Sequence, residues 1–392
     1  VLLRDISDPL ALWQHAERYL GVGTRTYSSY SADLDISSRY HPQDGAASFV
    51  LPTFRAAVDY ATGLPSALHR HYEGLLPVHP DTLAVLPFDG EPGPPLTVVP
   101  SANARTVFVS AIGGEPVAPH FLKLHYPRRL SRFTRRLLRP TIELHLWVAR
   151  RLVDAGLPVL PEVGGGWVGG DPSSAWGFLV RAARPVTGGR TYTVPVFALY
   201  GHDKRAPSDP TLLEQLVERS GEAATPFVAD RIVAPMVRLW VDALLRTGCP
   251  LETHGQNTLV TFDLDPVATT VLYRDSAVYV DAPLRARLGL HGPLPPANVI
   301  PRDVPMAADE VFSLTYDSFM GHHCLDYVAA LSWSRLGVPP GALHATARDT
   351  FAAATAHAPD ALLPRSVFYY DDVLRDDGDW KLVDMGEAPT WR

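Results

Sequence analysis

Leu12, Trp13, Ala16, Tyr19 and Leu20 recur at helical spacing behind Ser7, Asp8 and Pro9, residues suited to capping and opening a helix. The pattern predicts a first helix that ends at the break Gly21-Val22-Gly23. A second helix is expected over 51–62. Thr106–Ile112 alternates and is β-branched, Gly113-Gly114 is a turn, and Ala118–Tyr126 returns, which together read as a hairpin. A long helical pattern follows from Ser131 to Ala155, with Pro140 expected to kink or split it. Strands are expected at 158–163, 177–183 and 191–200. A short amphipathic helix is expected at 209–219. A long helix with Val228, Ile232, Met236, Leu239, Val241 and Leu244 on its core face should run from Thr225 to a C-terminal cap at Gly248. Two short strands, 257–262 and 270–275, come next. Helices over 307–336, 341–356 and 362–374 complete the pattern.

Hairpins followed by helices, without alternating βα units, indicate an α+β fold: mixed antiparallel sheets with a helical C-terminal half. The turn-forming stretch PFDGEPGPPLTVVP (87–100) marks a boundary. The expected division is a mainly helical subdomain over 1–95, a β-rich nucleotide and substrate subdomain over 96–224, and a mainly helical subdomain over 225–392. The 392 residues carry a formal net charge of −7, with 46% hydrophobic and 20% charged positions, which excludes a disordered or fibrous chain. No global basic field draws the chain to nucleic acid, and no apolar run is long enough to span a bilayer. Cys249 and Cys324 are too few for a disulfide scaffold, an iron–sulfur cluster or a four-cysteine zinc site. The chain begins Val1-Leu2-Leu3-Arg4-Asp5, without the layout of a secretory signal, and a cytoplasmic protein is expected. Lysine occurs only at 123, 204 and 381, whereas arginine is abundant. A GC-rich genome accounts for that bias, and it draws attention to Lys123.

Three segments carry candidate chemistry. The first is Glu252-Thr253-His254-Gly255-Gln256-Asn257, followed by a strand pair that ends in Arg274-Asp275. Glu252, Asn257 and Asp275 offer oxygen ligands for a hard cation such as Mg²⁺, and His254 and Gln256 can donate to phosphate. A polar turn between a helix and a strand needs fewer functional side chains than this. The second is Pro100-Ser101-Ala102-Asn103-Ala104-Arg105-Thr106 before a strand, which can wrap an anion with backbone N–H groups and a guanidinium, or is a plain strand entry. The third is Lys123 with Arg128, Arg129, Ser131, Arg132, Arg135, Arg136 and Arg139. In a continuous helix, 128, 132, 135 and 139 would share a face, as a solvated surface, a nucleic-acid patch or a polyanion pocket. With Phe133 as the one aromatic, stacking on nucleic acid is disfavoured. GGGWVGG (164–170) lacks a P-loop ending and reads as a flexible hairpin loop. Gly321-His322-His323-Cys324 lacks zinc-site spacing and reads as core or interface. No Gly-x-Ser-x-Gly nucleophile elbow is present.

Together these segments resemble the NRPS-independent siderophore (NIS) synthetases, the IucA/IucC family. PSANART (100–106) resembles that family's P-T-S-S-M-R-T. Lys123-Leu124 with Arg135 twelve residues after the lysine, ETHGQN (252–257) and Arg274-Asp275 follow in the family's order. Pro77-Val78-His79-Pro80, Phe178–Arg181 and Leu363-Pro364-Arg365 are similar to further family segments. Asn103 stands where the family has serine, Asp81-Thr82 where it has Trp-Gln, and Arg365 where it has lysine. The upstream H-P-x-H-P-x-x-K segment is absent, and the chain is shorter than the usual member at both ends.

The resemblance implies a thumb, fingers and palm architecture with a central nucleotide cleft, and a homodimer. It implies an ATP- and Mg²⁺-dependent ligase that activates a carboxylate as an acyl-adenylate and joins it to an amine or alcohol. Citrate as the acid does not carry over. Ser101, Asn103, Arg105, Thr106, Lys123, His254, Gln256 and Asn257 would hold ATP. Lys123, His254 and Arg135 would act in catalysis. Arg135, Arg181 and Arg365 would grip the substrate, and Glu252, Asn257 and Asp275 the metal. A kinase-like phosphotransferase is the main alternative, since His254-Gly255 with Asn257 and Asp275 partly imitates a kinase loop. Such an enzyme needs an aspartate base at position 256, where this chain has Gln256; a carboxylate nucleophile is already ionised and needs none. A degenerate nucleotide-binding partner of a true synthetase is a third reading.

Overall fold

The structure is a computed structural model that describes residues 1–21, 34–130, 133–358, 362–375 and 377–392. Its centre is a seven-stranded antiparallel sheet. The strands lie in the order Phe49–Leu51, Leu96–Pro100, Thr106–Ile112, Glu115–Leu124, Trp176–Ala182, Glu162–Val168 and Asp59–Thr62. One face packs Leu51, Leu76, Val98, Val107, Leu122, Leu124, Phe178 and Val180 into an apolar layer. The other face carries Phe108, Phe121 and Leu179, and also Lys123, Glu162 and Arg181. Phe121 lies opposite Arg181, Glu162 opposite Arg181, and Lys123 opposite Leu179, so the pleat puts them all on one side.

That second face is covered by two elements. The helix Arg139–Asp154 lies over Leu179 through Ile142 and Leu146. A four-stranded sheet, ordered Val159–Leu160, Val267–Arg274, Thr258–Leu264 and Tyr192–Pro195, meets it through Leu259 and Leu272. Trp13 of the first helix fills the seam, edge-on to Phe108 and Phe121. The opposite side of the smaller sheet, with Val260, Phe262, Val271 and Tyr273, packs on the helices of the C-terminal half in the largest core of the molecule.

The first helix is Pro9–Tyr19, and the Asp8 carboxylate accepts from Leu10 N–H as its cap. The hairpin strands are Thr106–Ile112 and Glu115–Leu124. The helix expected over 51–62 is instead three strands, Phe49–Leu51, Thr53–Arg55 and Asp59–Thr62, so residues 1–95 are not mainly helical. Alternating burial at 49–51 had the strand period, and Pro52 interrupts any helix. The helix expected from Ser131 begins at Arg139, with Pro140 in its first turn. Before it, Tyr126–Leu130 and Phe133–Arg135 pair as a tight antiparallel ribbon, so the arginines do not form a helical face. Ser131, Arg132, Val22 and Gly23 lie outside the described residues. Residues 362–374 hold a short strand, Phe368–Tyr370, and one helical turn, Asp371–Leu374. The two long C-terminal helices contain wide π turns at Ala229–Val233 and Leu314–Leu325. Residues 191–200 begin as a strand and end as a helical turn, Phe197–Tyr200.

GGGWVGG is not a loop. Gly164, Gly165, Gly166 and Trp167 are interior to the large sheet, paired with Asp59–Thr62 on one side and with residues 177–180 on the other. The glycines leave a flat patch on which the helix Arg139–Asp154 rests. A Cβ on Gly165 would lie 2.8 Å from Ile142 Cγ2 and 2.8 Å from the Phe178 carbonyl oxygen. Gly165→Val should therefore lift the helix and cost about 1–3 kcal/mol. Urea unfolding should show that loss as a lower midpoint at unchanged slope.

Candidate active site

The strand Thr258–Leu264 starts directly after Asn257, and its partner Val267–Arg274 ends directly before Asp275. Arg274 N–H donates to the Asn257 carbonyl at 2.9 Å, so the hairpin delivers both side chains to one edge. The helix Ala234–Thr247 ends at Gly248 in the left-handed conformation and leads into the loop carrying Glu252, His254 and Gln256. Gly255 must be small there, because a Cβ would come 2.4 Å from the Tyr200 hydroxyl. Asp275 has φ +82°, a conformation sparsely populated outside glycine, asparagine and aspartate. The Tyr273 hydroxyl donates to its carbonyl at 2.8 Å and holds it there.

Asp275 is the junction between the two sheets. Both its oxygens accept from Lys123 Nζ, at 2.7 and 2.8 Å. Arg181 lies 3.8 Å away and His145 3.7 Å away. Behind this pair, Arg181 donates twice to one oxygen of Glu162, at 2.9 and 2.6 Å, and Ser276 donates to the other at 2.7 Å. On the far side, Arg274 pairs with buried Glu17, which also accepts from the Trp13 indole at 3.1 Å. Burial alone would raise the Asp275 carboxyl, but Lys123 and then Arg181 hold it well below the usual carboxylate range. Burial lowers Lys123 to about 8 although Asp275 opposes that shift. Glu162 is lowered to about 2: burial, the largest single influence, pushes it up, and Arg181 and His145 together outweigh burial. Arg181 has the converse balance and is raised.

The network forms the floor of a cleft of about 340 Å³. Asn103, Arg105, Lys123, Arg135, Arg136, His145, Glu252, His254, Gln256, Asn257 and Asp275 line it from the two sheets and their flanking turns, the ribbon, the helix Arg139–Asp154 and the loop. Tyr279, Phe319, Tyr369, Tyr370 and Trp380 line it from the C-terminal half. Arg105 is buried and donates to the Arg135 carbonyl at 2.7 Å, which fixes the ribbon over the cleft. Burial, with Arg135 and Arg181 nearby, lowers Arg105 from the usual guanidinium value. Burial also lowers His254 to about 3, so its imidazole is neutral. Nδ1 accepts from Gln256 N–H at 3.2 Å, which leaves the proton on Nε2 as a donor.

Of the residues singled out from sequence, Asn103, Arg105, Lys123, Arg135, Glu252, His254, Gln256, Asn257 and Asp275 meet in this one cleft. Four do not line it. The Ser101 hydroxyl donates to the Thr106 carbonyl at 2.7 Å and closes the turn around Asn103. Thr106 is buried in the strand opposite Lys123. Arg181 is turned to Glu162. Arg365 is exposed, and the chain beyond it brings Tyr369 and Tyr370 to the cleft instead. His145, Glu162 and the aromatic residues were not anticipated. A lone carboxylate in the otherwise uncharged stretch 157–168 was the available signal for a buried ion pair.

Two groups of donors could hold a cation, and they share Asp275. His145, Glu162 and Asp275 have donor atoms within 4.8 Å of one another, but Lys123 and Arg181 already balance that charge. Glu252, Asn257 and Asp275 supply oxygen alone and fit a hard divalent ion better. Burial, and then the Asp275 charge, raises Glu252 to about 7. A carboxylate in that condition gains from a nearby cation.

No protein-family model matches the chain, and no curated protein sequence matches it. Solved structures do. Aerobactin synthetase IucA from Klebsiella pneumoniae superposes with a TM-score of 0.64 at 16% identity, over 90% of this chain and 71% of that one. Aerobactin synthetase IucC from the same organism gives 0.56 at 18% identity, over 86% and 68%. Petrobactin biosynthesis protein AsbB from Bacillus anthracis gives 0.62 at 12% identity, over 93% and 74%. All three are NIS synthetases, and their fold is the fold of this chain. Among the described residues, no helix is long and apolar enough to cross a membrane.

The buried network itself can be tested. Glu162→Gln strands Arg181 without its carboxylate and should cost about 3–5 kcal/mol. Replacing both Glu162 and Arg181 by Met removes both charges and should recover most of that loss in urea unfolding.

Proposed function

We propose that the chain is an ATP-dependent ligase that activates a carboxylic acid as its acyl-adenylate and transfers the acyl group to an amine or alcohol. The observation that carries this reading is the meeting of Lys123, Arg105 and Arg135 with Glu252, His254, Gln256, Asn257 and Asp275 in one cleft. Support comes from the shared fold, including that of ATP-bound aerobactin synthetase IucA, at a TM-score of 0.63.

The chemistry follows from charge. A carboxylate oxygen attacks the α-phosphorus of ATP, a P–O bond to the β-phosphate breaks, and pyrophosphate leaves with the electron pair. Two anions must approach each other, so the cleft has to supply fixed positive charge where negative charge accumulates. Lys123 provides it from a central strand, Arg105 from the turn directly before the strand Thr106–Ile112, and Arg135 from the ribbon above them. Neutral His254 donates from Nε2 to a phosphate oxygen without adding charge, and the Gln256 amide adds a donor. Asn103 orients the nucleotide beside Arg105. Glu252, Asn257 and Asp275 would hold Mg²⁺, which would supply positive charge to offset that of the phosphates. Attack needs no base, because the acid is already ionised, and Gln256 offers none. In the second step the acceptor's lone pair forms a bond to the acyl carbon. The acyl C–O bond to AMP breaks, and the acceptor's proton passes to water.

Incubation with Mg²⁺-ATP, a pool of di- and tricarboxylic acids and hydroxylamine should release AMP and pyrophosphate and form a hydroxamate that identifies the acid. Release of ADP would overturn the reading. With the acid in hand, Lys123→Ala should lower kcat/KM by about 100-fold or more, the loss expected of one preorganised charge donor. Circular dichroism checks that this variant is folded.

A further inference from the structure

We propose that the aromatic wall of the cleft is the acceptor's subsite, and that the acceptor carries a planar aromatic ring beside its amine or hydroxyl. This inference rests on the ligase reading above.

The two sides of the cleft differ in chemistry. The side built by the sheets presents Lys123, Arg105, Arg135 and Arg136, which suit phosphate and carboxylate. The side built by the C-terminal half presents, among its described lining residues, rings: Tyr279, Phe319, Tyr369, Tyr370 and Trp380. These rings are organised against one another. Tyr370 and Trp380 are stacked, with centroids 5.1 Å apart at 29°. The Tyr279 and Tyr370 hydroxyls are 2.9 Å apart. Phe319 is edge-on to Tyr369 at 6.2 Å. Short pairing of Phe368–Tyr370 with Leu382–Asp384 fixes the backbone that carries the two tyrosines.

The wall runs from the interior to the rim. Tyr369, Tyr370 and Phe319 are 4–6% exposed, whereas Trp380 is 48% exposed. A large ring left half in water at the mouth of a cleft is covered at a gain when another flat ring stacks on it. Arg365, which the sequence resemblance would place on the substrate, is exposed outside the cleft. Among its described lining residues, the C-terminal side is therefore suited to a π face. The order of events assigns that face to the acceptor. Nucleotide and acid occupy the charged interior during the first step. The acceptor enters afterwards from solvent, and the exposed end of the wall is on that path.

The test uses the full chain, Mg²⁺-ATP and the acid found with hydroxylamine, and compares phenethylamine with hexylamine as acceptors. The expected result is that kcat/KM for AMP release is about tenfold higher with phenethylamine. Trp380→Ala should bring the ratio of the two amines close to one, and Trp380→Phe should restore most of it. Equal kcat/KM for the two amines in the wild type overturns the proposal. So does a Trp380→Ala variant that keeps the ratio but has a raised KM for ATP, since the wall then holds the nucleotide base. Failure to form AMP even with hydroxylamine is a separate result, and it overturns the ligase reading beneath this one.

Discussion

The ion pair between Lys123 and Asp275 ties the large sheet to the small one, and the geometry of the cleft depends on it. Lys123 belongs to a central strand of the seven-stranded sheet; Asp275 directly follows a strand of the four-stranded sheet. Charges this deep survive folding only when paired and hydrogen-bonded. The structure meets that condition in layers: Arg181 and Ser276 on Glu162, Lys123 on Asp275, and Arg274 on Glu17. Each link joins a different pair of elements. The sheets, the first helix and the loop that carries His254 are thereby fixed relative to one another. Apolar contacts at Leu259, Leu272, Phe108 and Trp13 close the seam around the charges and keep water from loosening them.

The same arrangement sets the electrostatics of the site. Lys123 on a central strand and Arg105 anchored to the Arg135 carbonyl are positive charges fixed in place before any anion arrives, and fixed charge of this kind lowers a barrier between anions. Their like charges are held together by the carboxylates behind them. Asp275 has two demands on it, since Lys123 holds it in this structure and a metal would compete for the same oxygens. Glu252, raised to about 7 by burial and then by the Asp275 charge, would gain from an incoming divalent ion.

Much of this was legible in the sequence, and for identifiable reasons. Local signals worked where local physics decides. Asp8-Pro9 opened a helix, Gly248 closed one, and Gly113-Gly114 turned a hairpin. The segments holding Asn103, Arg105, Lys123, His254, Gln256 and Asp275 were visible because polar groups clustered more densely than turns require. Long-range pairing was not legible. GGGWVGG has a loop's composition, and only the strands on either side and the helix above make it sheet. Arginines 128–139 had a helical spacing that the ribbon 126–135 overrode. Glu162 is far from the cleft's motifs in sequence, and strand register alone sets it against Arg181 in the network beneath the cleft. The aromatic wall draws on four separate segments, so no window of the sequence contained it.

The central claim is that a carboxylate oxygen attacks the α-phosphorus of ATP in this cleft. Isotope tracing addresses that bond directly. The acid that gives a hydroxamate is prepared with ¹⁸O in its carboxyl group, turned over once with Mg²⁺-ATP and an amine, and the products are weighed by mass spectrometry. One ¹⁸O atom is expected in AMP and none in pyrophosphate. Label in inorganic phosphate, together with ADP, would place the attack on the γ-phosphorus and contradict that claim.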